Sequence, residues 1–278
     1  MHPTPRLATL LLPLLAAGAI AEETVTFDDG PLGWSISGCG NVVIDGGNPG
    51  ANLACIVDDV FGVEVRTSTD QAFVGDLTRY GRFTLSIDVK INSIAIGGGP
   101  QQVPRRFAVD LRDYNTTGPY PWTSVWYELG VVSSAQPGWI RYAVTIENPE
   151  STALPPGWSG YGDEDAGGMP RLPRDRSFAS VLRSVDQVAF TTLLPGFFFP
   201  STRFDMQVDN IHIGDPLGEQ CPSCVADHNR DGGVDGADVE AFFLDWQESI
   251  PCADANGDGG VDGGDVEAFF VGWQTGGC

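Results

Sequence analysis

The sequence predicts a mainly β chain, an antiparallel β-sandwich followed by a small α-helical unit. Segments of alternating apolar and polar residues recur: Phe83-Thr-Leu-Ser-Ile-Asp-Val-Lys-Ile91, Phe107-Ala-Val-Asp-Leu111 and Ile140-Arg-Tyr-Ala-Val-Thr-Ile146. Period two is the spacing at which one face of a strand is buried and the other is wet. Gly, Pro, Asn and Asp fill the gaps, as expected of many short strands joined by turns. The helical end is predicted by a repeat of different character, in which an acidic Gly-rich loop precedes apolar residues at helical spacing.

In chain order, residues 1–21 read as a secretory signal peptide. Arg6 supplies the positive start, Leu7 to Leu15 the apolar core, and Ala19-Ile-Ala21 the small-residue cleavage site. The apolar run is too short for a transmembrane span and none follows, so the chain is expected to be exported and not an integral membrane protein. Export makes disulfides the expected state of the six cysteines. Cys39 and Cys55 stand alone in the N-terminal region and can bridge. Cys221, Cys224, Cys252 and Cys278 cluster at the other end, where two bridges have three possible connectivities.

Residues 22–215 form the expected sandwich. Further strands are expected at Val125–Val132, Val185–Thr191 and Phe204–Ile213, and no window of helical period has useful length. Phe197-Phe-Phe199, bounded by prolines, is expected to be a buried loop. Tyr120, Trp122 and Trp126 share one parity and so one face, while Tyr127 points oppositely. Together with Trp158 in the loop-like Pro155-Pro-Gly-Trp-Ser-Gly-Tyr161, they are the candidate platform for stacking on sugar rings. Core packing is the competing use of such rings.

Catalytic candidates are few. His2 belongs to the leader, His228 lies in an acidic loop and His212 is alone in the last expected strand, so a Ser-His-Asp or Cys-His site has little to draw on. Two carboxylates suffice for glycoside hydrolysis, which leaves Glu128, Glu147, Asp163, Glu164 and Asp165. None has a hydrolase-like spacing, and solvated acids are the simpler reading.

After a linker at 216–223, residues 224–278 hold the repeat. Asp227-His-Asn-Arg-Asp-Gly-Gly-Val-Asp-Gly-Ala-Asp-Val-Glu-Ala-Phe-Phe returns 27 residues later as Asp254-Ala-Asn-Gly-Asp-Gly-Gly-Val-Asp-Gly-Gly-Asp-Val-Glu-Ala-Phe-Phe. Oxygen-bearing residues fall at loop positions 1, 3, 5, 9 and 12 with Gly at 6, the pattern of a calcium loop. The expected ligands are Asp227, Asn229, Asp231, the Gly233 carbonyl, Asp235 and Asp238 for one Ca2+ ion. For a second they are Asp254, Asn256, Asp258, the Gly260 carbonyl, Asp262 and Asp265. Two carboxylates about 5 Å apart repel by about 3 kcal/mol at an effective dielectric of about 20, so metal binding should be coupled to folding. Val239, Phe242, Phe243 and Trp246 then form one helical stripe, as do Val266, Phe269, Phe270 and Trp273. No helix is expected before either loop, where Pro and Cys intervene.

The formal net charge is −22. Residues 219–278 carry 13 acidic residues and one basic residue, so this short stretch holds about half of it. Without a basic stripe, nucleic acid is excluded as a partner.

Half EF-hands in tandem, with Asp at position 12, resemble a type I dockerin, and the Gly-Gly-Cys278 ending resembles the bacterial Gly-Cys-terminated dockerin group. The resemblance implies calcium-dependent docking to a cohesin-like scaffold or cell-surface protein. Recognition positions 10 and 11 are Gly236 and Ala237, then Gly263 and Gly264, where many dockerins carry hydroxyls. The opening Thr26-Phe-Asp-Asp-Gly-Pro-Leu-Gly-Trp34 and the closing Phe204-Asp-Met-Gln-Val-Asp-Asn-Ile211 resemble jelly-roll carbohydrate-binding modules. That resemblance implies first and last strands side by side, polysaccharide as partner and a third, structural Ca2+ near Asp28 and Asp209. The expected whole is a secreted bacterial protein, associated with the cell surface, whose dockerin delivers a carbohydrate-binding sandwich. A dockerin-anchored hydrolase or lyase is the alternative, and a surface structural or assembly protein the second alternative.

Overall fold

The computed structural model describes residues 22–37, 39–97, 99–116, 119–197, 200–214, 224–229, 233–247, 251–257 and 260–275. The expected leader at 1–21 and the expected linker at 216–223 lie outside them, as do Asp231 and Asp258 of the acidic loops. Described strands are β1 (Glu23–Val25), β2 (Trp34–Ile36), β3 (Asn41–Val43), β4 (Asn52–Val60), β5 (Glu64–Thr67), β6 (Phe83–Ile96) and β7 (Arg105–Asp113). They continue with β8 (Thr123–Val132), β9 (Ile140–Ile146), β10 (Trp158–Tyr161), β11 (Asp163–Glu164), β12 (Pro170–Arg171), β13 (Gln187–Thr191) and β14 (Thr202–Gly214). The helices are α1 (Phe178–Leu182), α2 (Gly236–Gln247) and α3 (Gly263–Thr275).

Two six-stranded antiparallel sheets form the sandwich. The first runs β3-β4-β14-β6-β9, with β1 beside the C-terminal half of β14. The second runs β10-β8-β7-β13-β5-β2. Inward residues of both, among them Leu85, Ile87, Val208 and Ile211 from the first and Val65, Phe107, Val109, Val125 and Phe190 from the second, make one continuous core. That shared core is what makes the sheets a sandwich. First and last strands lie together, with Thr24 opposite His212. Cys39 and Cys55 are joined, with Cα atoms 5.4 Å apart, and Cys224 is disulfide-bonded as well.

The strands expected from alternation are all present, and the structure adds to them. β4 escaped the alternation pattern because its first residues, Asn52, Leu53 and Ala54, are all shielded or partly shielded from solvent. The five-residue α1 is too short to show a period; its start is fixed by Ser177 and Ser180, each accepting the other's backbone N–H. Phe197 corrects the buried-loop expectation: it is exposed, with the Arg106 guanidinium 4.5 Å above its ring, while Phe198 and Phe199 lie outside the described residues. Among the described residues no helix is long and apolar enough to cross a membrane.

The C-terminal helices follow the repeat. Phe242 and Phe269 stack with ring centroids 4.1 Å apart and planes inclined by 8°, and with Ala253 they are the buried centre. The rest of each apolar stripe packs around them. The two halves are tied reciprocally, Trp246 Nε1 donating to the Asp262 carbonyl at 2.7 Å and Trp273 Nε1 to the Asp235 carbonyl at 2.8 Å. Among the described residues, one 3-10 turn, Pro251–Ala253, stands directly ahead of the second loop.

Candidate functional site

The outward face of the second sheet carries charge and aromatic rings together. Antiparallel register sets residues of distant segments in rows: Tyr161, Ser124, Arg112 and Gln187 form one, and Ser159, Trp126, Asp110, Ala189 and Arg66 the next. Arg112 is the centre. Its Nε donates to Asp110 Oδ2 at 2.6 Å, its Nη1 to Gln187 Oε1 at 2.9 Å and its Nη2 to Glu64 Oε1. All four side chains are buried. A buried ion network of this kind persists only when its donors and acceptors are matched. Burial drives the Asp110 carboxyl up from its usual range, and the charge of Arg112 only partly offsets this.

Trp122 lies over Arg112, its ring 4.4 Å from the guanidinium carbon. Its neighbours are Tyr161 at 5.6 Å and Tyr114 at 6.3 Å, and Tyr161 in turn meets Tyr120 at 5.2 Å. Hydrogen bonding to Glu164 pushes the Tyr120 hydroxyl up to about 12, and burial, with Asp110 next, raises that of Tyr161. The Trp122 and Trp126 indole N–H groups are buried without a hydrogen-bond partner. Beside this wall opens a cleft of about 310 Å³, floored by Glu64, Asp110 and Arg112, walled by Trp122 and Tyr161, and closed opposite by Leu193, Pro195 and Gly196. Larger hollows exist, one of about 580 Å³ near Tyr127 and Pro155, and one of about 490 Å³ near Asn115 and Arg174. The first is lined by Tyr127 and Trp158 with Glu147 and Asn148, and neither contains the Arg112 network.

Of the expected platform, Tyr120, Trp122 and Trp126 come together with Tyr161. Trp126 is covered by Leu194 and only 9% exposed. Trp158 lies elsewhere: 8% exposed, it packs in the core against Phe178 and Tyr127. Alternation left Arg112, Asp110, Glu64 and Gln187 unremarked, because each resembles an ordinary solvent-side strand residue until register brings them together.

The acids considered for catalysis are engaged. Arg106 grips Glu128 with two nitrogens and holds its carboxyl below the usual range. Glu147 pairs with Arg82. The Asp163 carboxyl is held low by the Glu164 backbone and then by Arg171, and that of Asp165 by the Met169 and Gly167 backbone N–H groups. A general acid at neutral pH needs a raised carboxyl, and Glu128, Asp163 and Asp165 are shifted the other way.

Asp28 and Asp209 converge on one loop. Asp28 Oδ1 accepts the Ala51 N–H at 2.9 Å, and Asp209 Oδ2 accepts the Asn48 N–H at 2.6 Å while its Oδ1 accepts from Asn210 at 2.8 Å. Asp88, close by, is paired through both oxygens with Arg141. Among the described residues no three His, Cys, Asp or Glu side chains converge as a metal-binding group. The carboxylates that the resemblance assigned to a third Ca2+ clasp residues 48–51 through the Asn48 and Ala51 backbone N–H groups.

The acidic loops show one arrangement twice. Asp238 Oδ1 accepts from the Asn229 backbone at 3.0 Å and its Oδ2 from Asp235 at 2.8 Å. Asp265 does the same with Asn256 at 3.1 Å and Asp262 at 2.7 Å. Burial works to raise the Asp238 carboxyl, but these backbone N–H groups outweigh it; at Asp265 the Asp262 N–H leads and burial opposes. Both aspartates are fully buried at the head of a helix. A position-12 carboxylate held in this way closes the loop on itself, and the oxygen-rich set around it suits a hard cation.

No family model matches the chain, and no curated relative does. Among solved structures, it is similar to the Clostridium thermocellum xylanase 10B CBM22-1–GH10 modules complexed with xylohexaose, at 12% identity and a TM-score of 0.38, over 69% of this chain and 28% of that one. A xylan-binding domain from CBM 22 is matched at 13% identity and a TM-score of 0.35, over 69% of this chain and 93% of that one. The family 11 carbohydrate-binding module of the Clostridium thermocellum cellulosomal cellulase Lic26A-Cel5E is matched at 16% and 0.38, over 71% and 96%. At this identity and these TM-scores the likenesses carry no functional argument.

Proposed function

We propose that the sandwich is a non-catalytic glycan-binding module whose site is the cleft beside Trp122. The observation that carries this reading is the wall of Trp122 and Tyr161 over a buried polar floor. Aromatic faces stack on the apolar faces of sugar rings, and fixed polar groups set their orientation. A glycan array probed with the intact protein and with Trp122→Ala tests it. Binding by the parent and loss in the variant is the expected result; no binding by the parent to plant, algal or microbial glycans would refute the reading.

For the C-terminal region we propose a dockerin. Calcium would be held by Asp227, Asn229, Asp231, the Gly233 carbonyl, Asp235 and Asp238, and by Asp254, Asn256, Asp258, the Gly260 carbonyl, Asp262 and Asp265. The repeated closure of each loop by Asp238 and Asp265 favours this reading. Its partner would be a cohesin-like scaffold or surface protein, reached after export through the leader at 1–21. Calcium-dependent retention on immobilised cohesins tests the partner, and equal retention in EDTA would argue against it.

A further inference from the structure

Which glycans the cleft can take follows from its charges. Guanidinium groups recognise carboxylate and sulfate through free, paired N–H groups. Of the five N–H groups of Arg112, Asp110, Gln187 and Glu64 take one on each nitrogen, the two carboxylates already offset its charge, and Trp122 covers its face. Gln187 is itself fixed, its Nε2 donating to Ser68 Oγ at 2.9 Å. Arg66, at the rim, pairs with the other oxygen of Glu64 at 3.3 Å. The charged residues lining the cleft are therefore two carboxylates and one committed guanidinium, in a chain of net charge −22. Rearranging so buried a network would leave a charge unpaired.

We infer that the cleft selects uncharged glycans and rejects those bearing uronate or sulfate groups, with Glu64 and Asp110 as the specificity-determining residues. They act by offsetting the cation that an acidic sugar would need, while a neutral sugar can still stack on the aromatic wall. The inference rests on the glycan-binding reading of the same site.

Native affinity electrophoresis of the intact protein, in gels containing xylan, mixed-linkage β-glucan or agarose and in gels containing polygalacturonate, alginate or carrageenan, separates the two. Retardation by a neutral polysaccharide, with acidic ones about tenfold or more weaker, is expected from one uncompensated charge at a partly buried site. Comparable or tighter retention by an acidic polysaccharide overturns the inference and leaves the glycan reading standing. Retention by none overturns both. Glu64→Gln, which removes one carboxylate charge beside Arg112, should narrow the ratio of neutral to acidic retention; a folded variant with an unchanged ratio counts against the role of Glu64. Should that variant not fold, salt dependence of the intact protein decides. Neutral-glycan affinity should change by less than about twofold up to about 0.5 M NaCl, where charge–charge attraction would be screened, and a steep loss overturns the inference.

Discussion

The sandwich and the C-terminal region solve the same problem with different means. The sandwich buries Phe27, Phe73, Phe83, Phe107, Phe178, Phe190 and Phe204 in one core shared by two sheets. The described helical region has a smaller buried centre, Phe242, Phe269 and Ala253, with partly buried apolar residues packed around it. Apolar area removed from water scales with the number of such residues, and a core this small supplies little beyond the entropy it must overcome. The difference shows where each region puts its carboxylates. In the sandwich several are paired with guanidiniums, as with Arg112 and Arg141. In the helical region they outnumber basic residues 13 to one over residues 219–278, a repulsion that the calcium proposed for the two loops would offset.

Chelation should therefore split the molecule most sharply. Removing calcium with EDTA is expected to cost the helical region all of its folding free energy, about 3–5 kcal/mol for a core of this size, and to leave the sandwich untouched. Far-UV circular dichroism should lose its helical component while the sandwich keeps its thermal transition. A helical signal that survives EDTA would mean that the stacked phenylalanines suffice alone.

Core truncation sharpens the contrast next. Phe269→Ala and Trp158→Ala each remove a buried ring and should each cost about 3–5 kcal/mol. In the helical region that equals the whole reserve, so Phe269→Ala should prevent helix formation at calcium concentrations that fold the parent. The sandwich should survive Trp158→Ala with a lower Tm. Its glycan affinity should be unchanged, since Trp158 faces Phe178 and Tyr127 rather than the cleft. A loss of affinity in the folded variant would return Trp158 to the binding face.

Trp122→Ala is the converse case, with a smaller effect. It should weaken glycan binding by about 2 kcal/mol, the scale of an anchoring aromatic, read by isothermal calorimetry. The Tm should barely move, because Trp122 lies at the surface of the network rather than inside the core. A large drop in Tm with unchanged affinity would make Trp122 a lid on Arg112 and nothing more.

These regions were unequally legible in the sequence. The repeat encodes both loops and both helices locally, so spacing alone placed Asp238, Phe242 and their counterparts, and the structure finds them so placed. In the sandwich, alternation placed β6 through β9 and put Tyr120, Trp122 and Trp126 on one side, because parity is a local property. It could not place Glu64 and Gln187 beside Arg112, since 48 and 75 residues separate those partners. Only the pairing of β7 with β13 and of β13 with β5 creates that site. Trp158 misled because its Pro-Gly surroundings read as an exposed loop, whereas β10 pairs with β8 and turns the ring inward.

The smallest expected effect concerns the sandwich's own carboxylate pair, Asp28 and Asp209. Asp209 holds the Asn48 and Asn210 N–H groups with its two oxygens, and burial, with Asp88 and Asp28 behind it, raises its carboxyl. Asn at this position keeps one acceptor but turns an NH2 group toward the other N–H, leaving that donor unsatisfied. Asp209→Asn should thus cost about 1–2 kcal/mol, measured by urea unfolding of the sandwich transition. The cost should be the same in calcium and in EDTA, because the clasp consists of backbone N–H groups. A cost present only in calcium would put a metal ion at Asp28 and Asp209, and the sandwich would then share the dependence that sets the helical region apart.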